Sequence, residues 1–319
     1  MTFFIYKRRT LAKVISLFLA LCLVVAFSLM LGHPDDNEVL HSKSDYIKWV
    51  DFGITLPVLK QAMQYDVDSY NTDIHIDWIA LLALAACKNG GNFKPTKSEV
   101  IDTYAKRLQS GEKLKKITKE LQYYDYYYSA YSAVLGGFLD KNENGYGLCA
   151  YSPIANGYYY SHSDDFGNSR SYGFKRRHLG NDLIGSIGTP IISVEDGIVE
   201  NMGWNRYGGW RIGIRSIDFK RYYYYAHLRK GHPYPSDLKE GDEVKAGQVI
   251  GYLGMTGYSD TEDYNGMSVP HLHFGMQLIF DDSQIEGNNE IWIDVYNIVK
   301  LLYSNRAQVI KQGDDYVKK

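Results

Sequence analysis

Two histidines one residue apart, His271 and His273, are the first feature of this chain that could do chemistry. On an extended strand, side chains i and i+2 share a face. The two imidazoles therefore stand side by side while Leu272 and Phe274 turn the other way. Such a pair suits a metal ligand beside a proton-transfer group, although histidine pairs also decorate solvated sheets. His178 and Asp182 add an imidazole and a carboxylate four residues apart, with Gly180 between them allowing a sharp backbone path. Two histidines and a carboxylate are a recurring ligand set for catalytic zinc, with the fourth position left to water. Zinc lowers the pKa of that water and polarises a substrate carbonyl. His227, at the end of the aromatic run 222–225, supplies a further imidazole. Each group has a plainer reading taken singly. His178 extends the basic run Lys175-Arg176-Arg177, and His227 reads as a sheet histidine capping a tyrosine face. Taken together, they supply the groups that hydrolysis at zinc needs.

The elements that must position these groups change character along the chain. Beyond residue 146 the hydrophobic period is that of strands. Runs 189–194 and 197–202 flank Glu195-Asp196-Gly197, and Asp-Gly between two such runs predicts a hairpin. Residues 211–217, 221–226, 244–253 and 271–279 read as further strands, with Gly241, Gly247, Gly251, Gly254 and Gly257 at the turns. Many short strands with glycine turns predict an antiparallel sheet or sandwich. Residues 294–303 read as a closing helix, and 306–319 as a polar C-terminal tail.

Upstream, residues 34–139 are expected to form a small α-helical domain, joined by a polar, Gly-rich linker over 140–157. The stretch 77–88 is apolar almost all round and stops at Asn89-Gly90-Gly91, as a buried helix with a glycine end would. Thr96 and Glu99 after Pro95 read as a capping box. Ile101, Tyr104 and Leu108 then share a face, and Leu114, Ile117, Leu121 and Tyr124 restart the period after Gly111. His75 is isolated from other ligand-type groups and reads as structural or exposed.

Composition narrows the setting. A net charge of −2 gives no electrostatic reason to expect nucleic acid as a partner. The 29 tyrosines pair apolar area with a hydroxyl, which suits half-buried sheets and wet clefts alike. Three cysteines do not make a disulfide scaffold; outside the apolar N-terminal run, Cys149 has only Cys87 to pair with. Lys7, Arg8, Arg9 and Lys13 precede an apolar run over 14–31, long enough to span a bilayer. Asp35, Asp36 and Glu38 follow it. That asymmetry puts the N-terminus in the cytoplasm and the rest outside. A cleaved signal peptide is the rival, but the run exceeds the usual apolar core and no clean small-x-small site follows it. Residues 1–33 are thus expected to be a cytoplasmic tip and a single-pass transmembrane helix in the cell membrane.

In order and spacing, the segments from about residue 158 to 277 resemble the lysostaphin-type (LytM-like) zinc endopeptidases of bacterial cell walls. The matching motifs are His178-Leu179-Gly180-Asn181-Asp182, Tyr225-Ala226-His227-Leu228 and His271-Leu272-His273-Phe274, with Gly188-Thr189-Pro190, Asp196-Gly197-Ile198-Val199 and the glycine-bounded run 241–251 between them. The resemblance implies a mainly β catalytic domain of the duplicated-hybrid-motif fold over 158–305. It implies His178, Asp182 and His273 as Zn2+ ligands and His271 as the general base. His227 would steady the developing oxyanion or share the proton work. The implied substrates are the peptide crosslinks and stems of peptidoglycan, reached by a domain facing the cell wall. Asn181 stands where the family is more often apolar. Asp165-Phe166-Gly167 and Arg170 resemble the segment before the first ligand, with a longer spacer, whereas His162 and His232 match no motif position. The helical part lies outside the resemblance, leaving spacer, regulatory lid and docking module for a protein partner open. A non-catalytic scaffold of the same fold is the main rival. Such proteins usually lose metal-site residues, and here all five positions are filled. A biotinyl- or lipoyl-type carrier would need a lysine at a hairpin tip, which Glu195-Asp196-Gly197 does not offer.

Overall fold

The computed structural model describes residues 47–319 apart from 51, 94–97, 143–144, 172–174 and 286–288. The anchor expected over residues 1–33 and the cap expected at Thr96 lie outside the described residues. Among those described, no helix is long and apolar enough to cross a membrane.

Five helices come first: α1 (Leu56–Ser69), α2 (Trp78–Asn89), α3 (Glu99–Gln109), α4 (Leu114–Thr118) and α5 (Tyr124–Leu135). The apolar run predicted to be buried is α2, whose residues from Trp78 to Ala86 are all buried. The Asp77 carboxylate accepts from the Ile79 N–H to open it, and Gly90 ends it in the left-handed region, φ 64°. Helix α3 opens with Ser98 at the N-cap, whose N–H and carbonyl are both held by the Gln61 side chain.

The segment 140–157 is not a free linker. Leu139–Asn142 (β1) and Gly145–Leu148 (β2) form an antiparallel hairpin, and Asn305 Nδ2 donates to the carbonyls of Leu148 and Ala150. The hairpin is largely solvent-facing, so its composition reads as linker. Residues 47–319 form one compact unit with a continuous apolar core running from the helices into the sheet. Arg221 ties the two layers together. It is 2% exposed, donates from Nη1 to the Ala133 carbonyl at the end of α5, and pairs with Glu195 and Asp218.

The main sheet is antiparallel. Its order is β10 (Glu243–Val244), β7 (Gly197–Asn205), β8 (Gly209–Ser216), β9 (Arg221–Ala226), β12 (His271–Leu278) and β13 (Ile291–Ile293). Strand β5 (Asn181–Ile184) also pairs with β12. The hairpin predicted around Asp196-Gly197 does not form. Pro190–Ile192 (β6) pairs instead with Val249–Tyr252 (β11), while β7 pairs with β8. Gly197 is not in the left-handed region. Its missing side chain serves close approach, because a Cβ there would sit 2.5 Å from the Arg215 carbonyl. The strand predicted over 244–253 likewise divides at Gly247 (φ 85°), placing β10 and β11 in different sheets.

The closing helix α6 (Tyr296–Leu302) follows β13. The expected polar tail is a hairpin of β14 (Val309–Gln312) and β15 (Asp315–Lys318). Its polarity reflects exposed strands, yet Asp315 anchors it. That carboxylate accepts from Tyr252 Oη at 2.9 Å and Ser236 Oγ at 2.9 Å, and faces His232 Nε2 at 2.7 Å.

Candidate active site

Strand pairing brings the sequence-predicted residues together. In the β5–β12 ladder Asp182 lies directly opposite His273, and in the β9–β12 ladder Ala226 does. Opposed residues share a sheet face, so Asp182, His271 and His273 project to one side. Leu272 and Phe274 are fully buried on the other. His178 enters just ahead of β5. Its N–H donates to the Asn168 carbonyl and its own carbonyl accepts from Gly167.

Three ligand-type atoms converge. His178 Nε2 lies 2.9 Å from Asp182 Oδ1 and 2.9 Å from His273 Nδ1, and His273 Nδ1 lies 3.1 Å from Asp182 Oδ1. His178 Nδ1 lies 3.0 Å from the Asp165 carbonyl oxygen. A carbonyl only accepts, so Nδ1 carries a proton and Nε2 is the atom that faces Asp182 and His273, sharing a proton with Asp182 or turning a lone pair to a metal. Asp182 is oriented too, its second oxygen accepting from Arg170 Nη2 at 2.8 Å. Arg170 also bonds Asp165 Oδ2 at 3.0 Å. Asn181 is fully buried and donates to Asp165 Oδ1 and to the Ser163 carbonyl, with His162 Nδ1 2.6 Å from its Oδ1. His162, which matched no motif, thus supports the His178–Asp182–His273 cluster at third hand.

These contacts explain the charge states. Burial alone would lower the pKa of His178, but its hydrogen bonds to Asp165 and Asp182 and their negative charges push it up to about 9. Burial alone would raise Asp182. The hydrogen bonds from His178 and His273 overcome it and hold the carboxyl far below the usual range. Burial lowers His273 more than its bond to Asp182 restores. Two imidazole nitrogens and a carboxylate oxygen held this close call for a cation among them, a shared proton or a metal, and this nitrogen–oxygen set fits zinc.

His271 and His227 face one another beside this cluster, ring centroids 4.8 Å apart. His271 Nδ1 is 2.8 Å from the Val269 carbonyl, and His227 Nδ1 is 2.8 Å from the Thr256 carbonyl. In both rings Nδ1 therefore donates, which in the neutral tautomer leaves Nε2 as the acceptor. Burial depresses the pKa of His227 well below its usual value, so the ring rests neutral. His227 has a left-handed backbone (φ 62°), fixed by its N–H bond to the Gly208 carbonyl. Strain of that kind on a non-glycine residue is characteristic of functional positions.

Gly180 differs from expectation. It makes no left-handed turn. A Cβ there would lie 2.8 Å from the His273 ring and 2.6 Å from the Phe274 carbonyl, so its role is room. The tyrosines divide as well. Tyr223 and Tyr225 are core residues against Phe274, while Tyr222 and Tyr224 line a cleft of about 650 Å3 shared with all five predicted residues. Tyr158, Tyr159 and Tyr160 do not line it. Cys87 and Cys149 are free thiols. The accepting carbonyls of Asp165, Thr256 and Val269 were invisible to sequence reasoning, because backbone acceptors carry no residue signature.

Residues 176–289 match the model of Peptidase family M23. Over 140 residues the chain is 41% identical to the L-Ala–D-Glu endopeptidase of Bacillus subtilis (strain 168), covering 44% of this chain and 40% of that protein. Over 98 residues it is 41% identical to the glycyl-glycine endopeptidase ALE-1 of Staphylococcus capitis, covering 30% of this chain and 24% of that protein. The chain thus spans less than half the length of either curated relative. The crystal structure of the LytM protein of Ruminococcus gnavus is similar over 82% of this chain and 94% of its own. Its TM-score is 0.56 at 27% identity. That likeness is too long to be confined to the matched β-rich region, so it takes in helical residues as well.

Proposed function

We propose, from the match of residues 176–289 to Peptidase family M23 and from the His178–Asp182–His273 cluster that fits zinc, that this protein is a zinc endopeptidase hydrolysing crosslinks or stem peptides of bacterial peptidoglycan. Both curated relatives are endopeptidases by name. The observation that carries the reading is the convergence of His178, Asp182 and His273 within 3.1 Å beside two acceptor imidazoles.

His178 Nε2, His273 Nδ1 and Asp182 Oδ1 would hold the metal. Zinc, when bound, supplies a Lewis acid for the scissile carbonyl and lowers the pKa of water. Arg170 and Asp165 hold the ligand side chains in register. His271 Nε2 takes the proton from the attacking water, and the resulting imidazolium is the donor that can return it to the leaving amine. His227 Nε2 is also bare, so His227 can donate to an oxyanion only after gaining a proton. Either role expected for His227, steadying the oxyanion or sharing the proton work, thus requires its buried ring first to gain a proton.

The purified protein should bind about one zinc per chain and release stem-peptide fragments from purified walls. His271→Ala should lower the rate on the order of 10²–10⁴-fold. Absence of metal, or wall cleavage unchanged in His271→Ala or Asp182→Ala, would overturn the reading. Mass spectrometry of the digest identifies the bond.

We further propose that residues 14–31 anchor the chain in the cell membrane, N-terminus cytoplasmic, with the endopeptidase part (158–305) facing the wall. The flanking charges support this orientation. Protease added to intact spheroplasts should digest the β-rich part; complete protection would reverse the topology.

A further inference from the structure

The cleft floor continues along the sheet face that carries His273. Tyr224 lies opposite Gly213 and Tyr222 opposite Arg215 in the β8–β9 ladder. A side chain on Gly213 would collide with the Tyr222 ring, and one on Gly208 with Tyr224 Oη. Both tyrosines thus lean over glycines, forming a flat aromatic floor.

Arginines border this floor. Arg211 and Arg215 sit on either side of Gly213 on β8. Arg215 is 4% exposed and spends Nε and Nη2 on Glu200, at 2.5 and 2.7 Å; its Nη1 has no hydrogen-bond partner among the described residues. Arg211 donates to Asn201 Oδ1, which also accepts from Tyr222 Oη at 3.0 Å. Across the cleft Arg176 packs over the rings of Tyr258 (5.0 Å) and Tyr207 (5.8 Å), and its Nε is buried without a hydrogen-bond partner among the described residues. Neither Arg211 nor Arg176 forms an ion pair with a carboxylate among the described residues, whereas Arg170 is committed to Asp165 and Asp182. Opposing them in the lining, outside the metal cluster, are Glu200, taken by Arg215, and Glu290, which accepts from Trp292 Nε1. The chain as a whole is net negative, so this excess of unpaired cation is local to the cleft.

Taking the zinc peptidase reading as its premise, we propose that Arg211 and Arg176 bind free carboxylates of the substrate, making the enzyme selective for acidic stem peptides over neutral glycine bridges. A half-buried guanidinium lacking a counter-ion gains most from a carboxylate, which it can grip through two parallel N–H bonds. Tyr222 and Asn201 hold Arg211 in place for that grip, and the aromatic rings do so for Arg176. A stem peptide offers two such sources: the α-carboxylate of a glutamyl residue joined through its γ-carboxyl, and the terminal carboxylate.

The test uses the full-length, zinc-loaded protein carrying His271→Ala, so that bound peptide is not consumed, with affinities measured by calorimetry. Four ligands are compared: a five-residue stem peptide with both carboxylates free, the same peptide amidated at the glutamyl α-carboxylate, the same amidated at the terminus, and pentaglycine amide. At least one amidation should weaken binding ten- to a hundredfold, the size of a charge-assisted bond left unmade, and pentaglycine amide should bind weakest. The amidation that matters identifies the source. Arg211→Gln and Arg176→Gln, each added to this background, should bring the free peptide towards the amidated level while zinc content and affinity for the amidated forms stay unchanged. Equal affinity for free and amidated stem peptides, or a preference untouched by both substitutions, would overturn the proposal. Binding preference without wall cleavage by the unsubstituted protein would leave the subsite standing and sink the peptidase reading; cleavage without preference would do the reverse.

Discussion

His178 sits between two carboxyl groups, and that position makes the metal cluster proton-sensitive. Its pKa is raised above the ordinary value near 6.5, to about 9. In metal-free protein the bound proton therefore stabilises the fold fully below pH 6.5, and this contribution is lost as pH rises through about 9. Thermal scans of chelator-treated protein should show Tm falling across that window. Zinc-loaded protein should not, because the metal replaces the proton. Unchanged Tm in the stripped protein would refute the assignment. Gly180 is a second residue-scale constraint. Gly180→Ala puts a methyl group against the His273 ring, so zinc affinity should fall roughly 10–100-fold, the usual cost of disturbing a ligand's support. Competition with a chromophoric chelator measures it. The convergence of His178, Asp182 and His273 was readable from sequence because each has a distinctive type and a fixed offset. Gly180 was noticed for the wrong reason, since flexibility can be inferred from a glycine but the neighbours it makes room for, His273 and Phe274, cannot.

At the scale of elements, the pairing of buried Arg221 with Glu195 decides how the helices meet the sheet. Arg221→Ala would leave Glu195, itself only partly buried, short of its cation, with Tyr223 Oη the one side chain still donating to its carboxylate among the described residues. Breaking a fully buried pair costs roughly 3–5 kcal/mol, an upper bound for this one, so the urea midpoint should drop while zinc content at low denaturant is kept. A shift within error would show that water replaces the guanidinium. The same pair shows what pattern reading misses. Asp196-Gly197 carries a hairpin signature, yet Glu195 is held by Arg221, and Gly197 is needed for packing under Arg215. Long-range partners thus overrode a local turn preference. Strands made of continuous runs of apolar and aromatic residues, such as β9 and β12, were legible. The hairpins at 139–148 and 309–318 were not, because ribbons exposed on both faces look like polar linker and tail.

The whole molecule should unfold as one unit. The core is continuous from α1 to α6, and the Leu56 N–H donates to Asn297 Oδ1 across 241 residues of sequence. Calorimetry should give a single transition for residues 47–319, with helical and β signals lost together; two separated transitions would contradict this. Asp315→Ala, which strips the acceptor from Tyr252, Ser236 and His232, should destabilise the entire unit by roughly 1–3 kcal/mol rather than merely fray its end. The clasp made by Asp315 also has a consequence in time. His232, Ser236 and Tyr252 are made long before the residue that ties them down, and α1 waits still longer for α6. Every group lining the cleft is thus made before the contacts that close the unit, Asn297 on α6 and Asp315 on β15. During synthesis the cleft residues must wait, already formed as chain, for the segments that lock the fold around them.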